Sequence, residues 1–191
     1  SCLINPIQGS AFLLAEIFTD LPLNPDDPFK ADRCGSCNRC VDSCPTKAIL
    51  PDRFIDSRRC LSYHSIENKQ EIPTGIAEKL PPWLFGCDIC QMVCPWNKQP
   101  KVGSHAVSFN TSELTDLLNL TPEEFGNRFA NSAIQRAKYF GFMRNVLVNI
   151  SSFDADASLP VLDEFIARNS DLGLTKLAQS VIEKIKKQPP L

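Results

Sequence analysis

Seven of the nine cysteines in this 191-residue chain fall into two patterns suited to binding iron, and an eighth lies between them. The first is Cys34-Gly-Ser-Cys37-Asn-Arg-Cys40-Val-Asp-Ser-Cys44-Pro45, the C-x2-C-x2-C-x3-C-P run that holds 4Fe–4S clusters. Three thiolates on one tight loop wrap three corners of an iron–sulfur cube, and Pro45 turns the chain away after the fourth. In two-cluster proteins that fourth cysteine ligates the other cube. The second pattern, Cys87-Asp-Ile-Cys90-Gln-Met-Val-Cys94-Pro95, repeats the end of the first, but position 84, where a further cysteine would complete it, is Leu84. Cys60, lying between the motifs, is the obvious supplier, and Cys2 the other candidate. The crossed pattern gives one site of Cys34, Cys37, Cys40 and Cys94, and another of Cys44, Cys60, Cys87 and Cys90. Cys2 is left as an ordinary thiol. Structural zinc also uses C-x2-C pairs, but rarely with a third cysteine two residues on and a fourth before proline. Disulfides fit the spacing less well still, which argues for a reducing compartment. Interleaved ligands put the two cubes close together, an arrangement suited to single-electron relay.

The composition is that of a soluble globular protein, 43% hydrophobic and 22% charged. No apolar run approaches the roughly 20 residues that span a bilayer, and no leader with a cleavage site is visible. A cytoplasmic monomer is the expectation. The chain starts at Ser1 rather than Met, as a processed chain or a piece of a longer one would. A net charge of −2 and a pI near 5.7 do not suggest a general nucleic-acid binder. Any such site must be local.

The elements that position the cysteines are expected to be short strands and helices, a two-cluster ferredoxin-like α+β domain over residues 31–108. Ahead of it, Ala11 to Phe18 reads as a short buried helix ended by the prolines at 22 and 25. Beyond it, residues 109–191 read as all-helical. Leu114, Leu117 and Leu118 have helical spacing, and Thr121-Pro122-Glu123-Glu124 is a helix start with Thr at the N-cap, Pro at N1 and Glu at N3. A long helix over about Ser132 to Ile150 follows. Leu159, Leu162, Phe165 and Ile166 then line one face, Leu174, Leu177, Val181, Ile182 and Ile185 the next, with a turn at 169–173. Paired amphipathic helices point to a HEAT-like repeat tail, with a plain bundle as the alternative.

The motifs resemble those of the epoxyqueuosine reductases, cobalamin-dependent enzymes that finish queuosine in tRNA. The likeness runs from Leu3-Ile4-Asn5-Pro6, Gly9-Ser10 and Glu16-Ile17-Phe18-Thr19 through both cysteine motifs. Its most specific stretches are Arg58-Arg59-Cys60-Leu61-Ser62-Tyr63 and Gly86-Cys87-Asp88-Ile89-Cys90-Gln91 continuing to Val93-Cys94-Pro95-Trp96-Asn97. In the tail, Ser132-Ala133-Ile134 and Arg144-Asn145 also fit. The resemblance implies that residues 1–30 are the end of a cobalamin-binding domain, whose acidic proton donor would lie ahead of Ser1. It also implies that an external reductant feeds the clusters, that these feed cobalamin, and that the helical tail docks tRNA. A standalone ferredoxin-type carrier and the iron–sulfur part of another cobalamin reductase, such as a reductive dehalogenase, are the competing readings.

Cobalamin contacts are expected from Thr19, Ser62 and Asp88. Each has an ordinary alternative as a helix-end, loop or capping residue. His64 has the chemistry of a cobalt ligand, yet a hydrogen-bonded histidine is the plainer reading, and His105 sits in a polar linker. Trp83 and Trp96 flank the second motif and would shield a cluster from water. Arg128, Arg136, Lys138 and Arg144 are opposed within 121–150 only by Glu123 and Glu124, and are the candidate phosphate contacts.

Overall fold

A computed structural model describes residues 2–10, 12–51, 53–97, 111–150 and 155–187. His105 and the expected boundary at 108/109 lie outside them. In chain order the helices are α1 (Arg39–Ser43), α2 (Leu61–Ile66), α3 (Thr74–Ala77), α4 (Ile89–Met92), α5 (Thr111–Leu118), α6 (Pro122–Arg128), α7 (Lys138–Ile150), α8 (Ala155–Arg168) and α9 (Leu172–Lys187). Short 3-10 turns at Ser57–Arg59 and Ala133–Ala137 precede α2 and α7. The small strands expected around the cysteines are not seen among the described residues. Among the described residues, extended pairing is limited to isolated bridges between Asn5 and Gly9 and between Ile49 and Ile55.

The chain divides into two units, Ser1–Ile55 with Asp88–Ser104, and Asp56–Cys87 with His105–Leu191. In the first, α1 packs on α4. The buried helix expected at 11–18 is absent. Ala11 lies outside the described residues, and residues 12–20 have no regular structure. Leu13 is 98% exposed and Phe18 94%, with Leu14, Ile17, Leu21 and Leu23 also bare. A run of apolar residues cannot hold a helix when no surface of its own unit receives its side chains.

The second unit has a large apolar core. Leu114, Leu117 and Leu118 of α5, Phe142, Met143, Val146, Leu147 and Ile150 of α7, Leu162 and Phe165 of α8, and Leu174, Ala178, Val181, Ile182 and Ile185 of α9 form it, with Leu84 and Phe125. The capping box starts α6. The Thr121 hydroxyl accepts the Glu124 N–H at 3.2 Å, and the Glu124 carboxylate accepts the Thr121 N–H at 2.8 Å. The long helix expected from Ser132 is broken instead. A 3-10 turn capped by Ser132 runs to Ala137, and Lys138, with φ of 60°, redirects the chain into α7. Asp171 caps α9, its carboxylate accepting from the N–H groups of Gly173 and Leu174 at 2.9 and 3.0 Å.

Candidate iron–sulfur site

In the first unit, Cys34, Cys37, Cys40 and Cys94 line one small pocket, together with Cys2, Arg33, Arg39, Pro95 and Trp96. Local rules build its wall. The Asp32 carboxylate accepts the Cys34 N–H at 2.9 Å and the Gly35 N–H at 3.4 Å, an Asx turn that starts the loop. Gly35 takes φ of +50°, and the Cys37 N–H returns to the Cys34 carbonyl at 2.9 Å. Arg53 braces the loop from outside. Its guanidinium donates to both Asp32 carboxylate oxygens at 3.0 Å and to the Gly35 carbonyl at 2.9 Å. The Cys34 N–H, then Arg53, hold the Asp32 carboxyl below its usual range. Cys40 sits on α1, and Cys94 follows α4.

Cys44 ends α1 in extended backbone. Burial alone would raise its thiol. The Thr46 hydroxyl and the N–H groups of Ala48, Ile49 and Thr46 outweigh that and lower it, with Ala48 N–H 3.2 Å from the sulfur. Donors aimed at sulfur favour the thiolate, the form that binds iron.

Cys2 is not the bystander expected from sequence, since it shares the pocket wall. Its thiol is lowered to about 6, first by a hydrogen bond with Cys90, with burial opposing and Ser10 assisting. Arg33 and Arg39 in the same wall were also missed. Arg33 stands 5.2 Å from the Phe29 ring centroid and 5.8 Å from that of Trp96, whose indole N–H donates to the Arg33 carbonyl at 3.0 Å. Nothing in a linear spacing marks Cys2 or Arg33, because the Phe29 and Trp96 contacts form only once the chain is folded.

In the second unit, Cys60 is the N-cap residue of α2, and Cys87 follows Gly86, whose φ is +78°. His64 is buried on α2. Its Nε2 lies 2.7 Å from the Arg58 carbonyl and must donate to it, so Nδ1 accepts from the Asn68 amide at 3.1 Å. Both ring nitrogens are used, and neither is left for a metal.

Arg144, expected at a phosphate, requires correction. It is 1% exposed. Its guanidinium donates to the carbonyls of Asn68 at 2.7 Å, Gln70 at 2.6 Å and His64, and to the Asn145 side chain. Burial pushes its pKa down to about 10, still well above neutrality. A group enclosed in this way does not reach a phosphate in solvent. Arg128, Arg136 and Lys138 are exposed. Arg136 is paired with Glu67, and Arg128 lies 5.8 Å from the Phe129 ring centroid.

The three residues expected at cobalamin are surface or half-buried polar groups. The Thr19 hydroxyl accepts the Leu21 N–H at 3.1 Å. Ser62 is half-buried on α2. Asp88 is exposed at the start of α4, and its carboxylate makes no capping bond there. Thr19 and Asp88 belong to the first unit and Ser62 to the second. Trp83, half-buried in the second unit, offers its carbonyl to the Asn149 amide at 3.5 Å.

No three His, Cys, Asp or Glu side chains among the described residues close around a single metal ion. A cube asks instead for one thiolate at each corner iron, and the four motif thiols Cys34, Cys37, Cys40 and Cys94 line one pocket. Residues 33–97 match the family described as the 4Fe-4S double cluster binding domain. An epoxyqueuosine reductase of Cyclobacterium marinum is 46% identical over 148 residues, 76% of this chain and 48% of that one. The chain belongs to the epoxyqueuosine reductase family. It spans about half the length of the curated relatives it matches. The epoxyqueuosine reductase structure from Streptococcus thermophilus superposes with a TM-score of 0.83 at 30% identity, over 99% of this chain and 51% of that one. An epoxyqueuosine reductase solved with a tRNA-Tyr epoxyqueuosine-modified stem loop shares the fold, with a TM-score of 0.71 at 24% identity over 97% of this chain and 59% of that one. The mostly helical architecture around a 4Fe–4S binding segment is therefore that of the epoxyqueuosine reductases.

Proposed function

We propose that this chain is the electron-delivering and tRNA-docking portion of an enzyme that reduces epoxyqueuosine in tRNA to queuosine. The observation that carries the reading is the pocket of Cys34, Cys37, Cys40 and Cys94, in a chain 46% identical to an epoxyqueuosine reductase. These four thiolates hold one 4Fe–4S cluster, and Cys44, Cys60, Cys87 and Cys90 hold the second, following the crossed spacing of the motifs. The relative solved with a modified tRNA stem loop supports tRNA as the partner.

When bound, the clusters supply single electrons and cobalamin supplies the reductive chemistry at the epoxide. The overall change takes two electrons and two protons, converts the epoxide to an alkene and releases water. An external donor provides the electrons. The chain's own contribution is placement and tuning. Arg33 and Arg39 put positive charge in the wall of the first cysteine pocket, and Trp96 covers it. Positive charge raises a cluster's potential, whereas exclusion of water lowers it, because reduction adds a negative charge to an already anionic cluster. Residues 1–30 close a cobalamin-binding domain, and the exposed Leu13, Ile17 and Phe18 are apolar surface for such a domain to cover. Thr19, Ser62 and Asp88 are the polar groups offered to cobalamin. Residues 31–108 carry the clusters. Residues 109–191 form a HEAT-like tail that presents Arg128, Arg136 and Lys138 to tRNA phosphates. The whole works as a cytoplasmic monomer. Among the described residues no helix is long and apolar enough to cross a membrane.

Anaerobic reconstitution with iron and sulfide tests the first part, with about eight irons per chain expected for two cubes. Adding cobalamin, a reductant, epoxyqueuosine-containing tRNA and the N-terminal half of a relative tests the second, read as queuosine in digested nucleosides. A colourless chain holding stoichiometric zinc after oxygen-free purification would end the cluster assignment. Conversion of the tRNA without any added cobalamin would end the second.

A further inference from the structure

We propose that Arg144 and Asn145, consecutive residues of α7, are positioning residues for Cys60 and Cys87, the candidate cluster ligands of the second unit. The inference rests on the reading of these two cysteines as ligands.

Cys60 opens α2, which has six residues. A helix that short does not sustain itself, and its last carbonyls have no partners within it. Donors from α7 supply them. Arg144 donates to the His64 carbonyl, and the Asn145 amide donates to the Ser65 carbonyl at 2.7 Å. The loop after α2 is held in the same way, by Arg144 on the carbonyls of Asn68 and Gln70. The second hydrogen of the Asn145 amide goes to the Leu84 carbonyl at 2.8 Å. One amide group thus fastens backbone just beyond Cys60 to backbone just before Cys87. A second clasp lies beside it, where the Gly86 N–H donates to the Ser65 hydroxyl at 3.0 Å.

The orientation of that amide is fixed by its neighbour. Arg144 turns Nε and one Nη2 hydrogen onto the Asn145 side-chain oxygen, at 3.3 and 3.0 Å. A flipped amide would set its N–H groups against the guanidinium and its oxygen against two carbonyls. The guanidinium spends its five donors on Asn145 and three carbonyls. No carboxylate takes part in these bonds. Arg144, Asn145 and Ser65 are buried, where polar contacts are strong and an unmade one is costly. A leucine at 145 would fill the core as well. What the amide adds is a fixed spacing between two backbone segments that each bear a thiolate.

The test uses the chain reconstituted anaerobically with iron and sulfide. Asn145→Asp keeps the side chain's size and its contact with Arg144 but turns a carboxylate oxygen toward the Ser65 and Leu84 carbonyls. Ser65→Ala removes the clasp to Gly86 and the hydroxyl's bond to the Ser62 carbonyl at 3.2 Å, and keeps the Ser65 carbonyl for Asn145. Expected for Asn145→Asp is loss of one of the two clusters, or a shifted potential and altered electron paramagnetic resonance signal for one cluster alone. Ser65→Ala should shift that same cluster by a smaller amount. If Asn145→Asp fails to fold, Ser65→Ala decides, and an unchanged potential there overturns the proposal. Variants that lower the thermal midpoint while both clusters keep their wild-type spectra and potentials make Arg144 and Asn145 core residues only. Cys60→Ala separates the two readings. If it leaves iron content and spectra unchanged, the ligand assignment itself is wrong and the proposal falls with it. If it removes a cluster while the other variants do nothing, the assignment stands and only the proposal fails.

Discussion

Asn97 and Ser10 clasp one another reciprocally. The Asn97 side-chain oxygen accepts the Ser10 N–H at 2.6 Å, and its amide donates to the Ser10 hydroxyl at 2.8 Å. The same amide reaches the Gln91 carbonyl at 2.7 Å, so one side chain joins the start of the chain to the backbone between Cys90 and Cys94. Gly9 makes room for this. A Cβ there would stand 2.1 Å from the Asn97 oxygen and 2.7 Å from the Trp96 carbonyl oxygen, on backbone with φ of +81°. Gly9→Ala should therefore destabilise the first unit by more than the roughly 1–3 kcal/mol of backbone strain alone. Gly35→Ala, at φ of +50° but with nothing within 4 Å of the new Cβ, should cost only the strain, about 1–2 kcal/mol. Denaturant midpoints of the two variants compare them directly. Equal losses would contradict the clasp.

Thr121→Ala should cost the second unit about 1 kcal/mol, the usual value of an N-cap hydroxyl. Glu124 makes the effect pH-dependent. Its carboxyl is lowered by the Thr121 N–H and then by the Thr121 hydroxyl. A depressed carboxyl stabilises the fold above its ordinary pKa, and that stabilisation disappears as pH falls through the lowered value. The penalty of Thr121→Ala should be full near neutrality and shrink once the solution is more acidic than the usual carboxylate range. Urea titrations of the iron-free chain across that range measure it.

Replacing Arg136 and Lys138 together by Ala should weaken tRNA binding and lower the slope of log K against log salt by as much as about 2, near one per lost phosphate contact. Arg136→Ala alone should do less than Lys138→Ala, because Glu67 already pairs with Arg136. Binding isotherms at several salt concentrations give the slopes. An unchanged slope removes both residues from the interface.

Arg144→Ala should leave that slope where it was and instead cost stability, roughly 2–5 kcal/mol, because it strands buried carbonyl groups. Thermal melts and the binding series, run on one preparation, separate the two roles. A variant of wild-type stability with a reduced slope would return Arg144 to the tRNA surface.

The sequence carried the parts that obey short-range rules. The Thr121 capping box, the apolar faces of α5, α8 and α9, and the loop cysteines depend on neighbours a few residues away. Failures came where distant residues decide. Leu13, Ile17 and Phe18 have a helix's composition but no surface in their own unit to bury against. Lys138 breaks a helix through a positive φ that a lysine does not advertise. Arg144 looked like surface charge because the carbonyls of His64, Asn68 and Gln70 that enclose it lie more than seventy residues earlier. Cys2 was set aside for the same reason. Its neighbours Cys90 and Ser10 are assembled by the Asn97 clasp, not by spacing.

The bare hydrocarbon from Leu13 to Leu23 also has a laboratory consequence. Contiguous apolar ribbon of this kind adheres to its own copies and to column matrices. Yields of the isolated chain will therefore be governed by self-adhesion, visible as scattered light that rises with concentration, before any question of iron content arises. Swapping Leu13 and Phe18 for serine should clear the solution without touching a single cysteine.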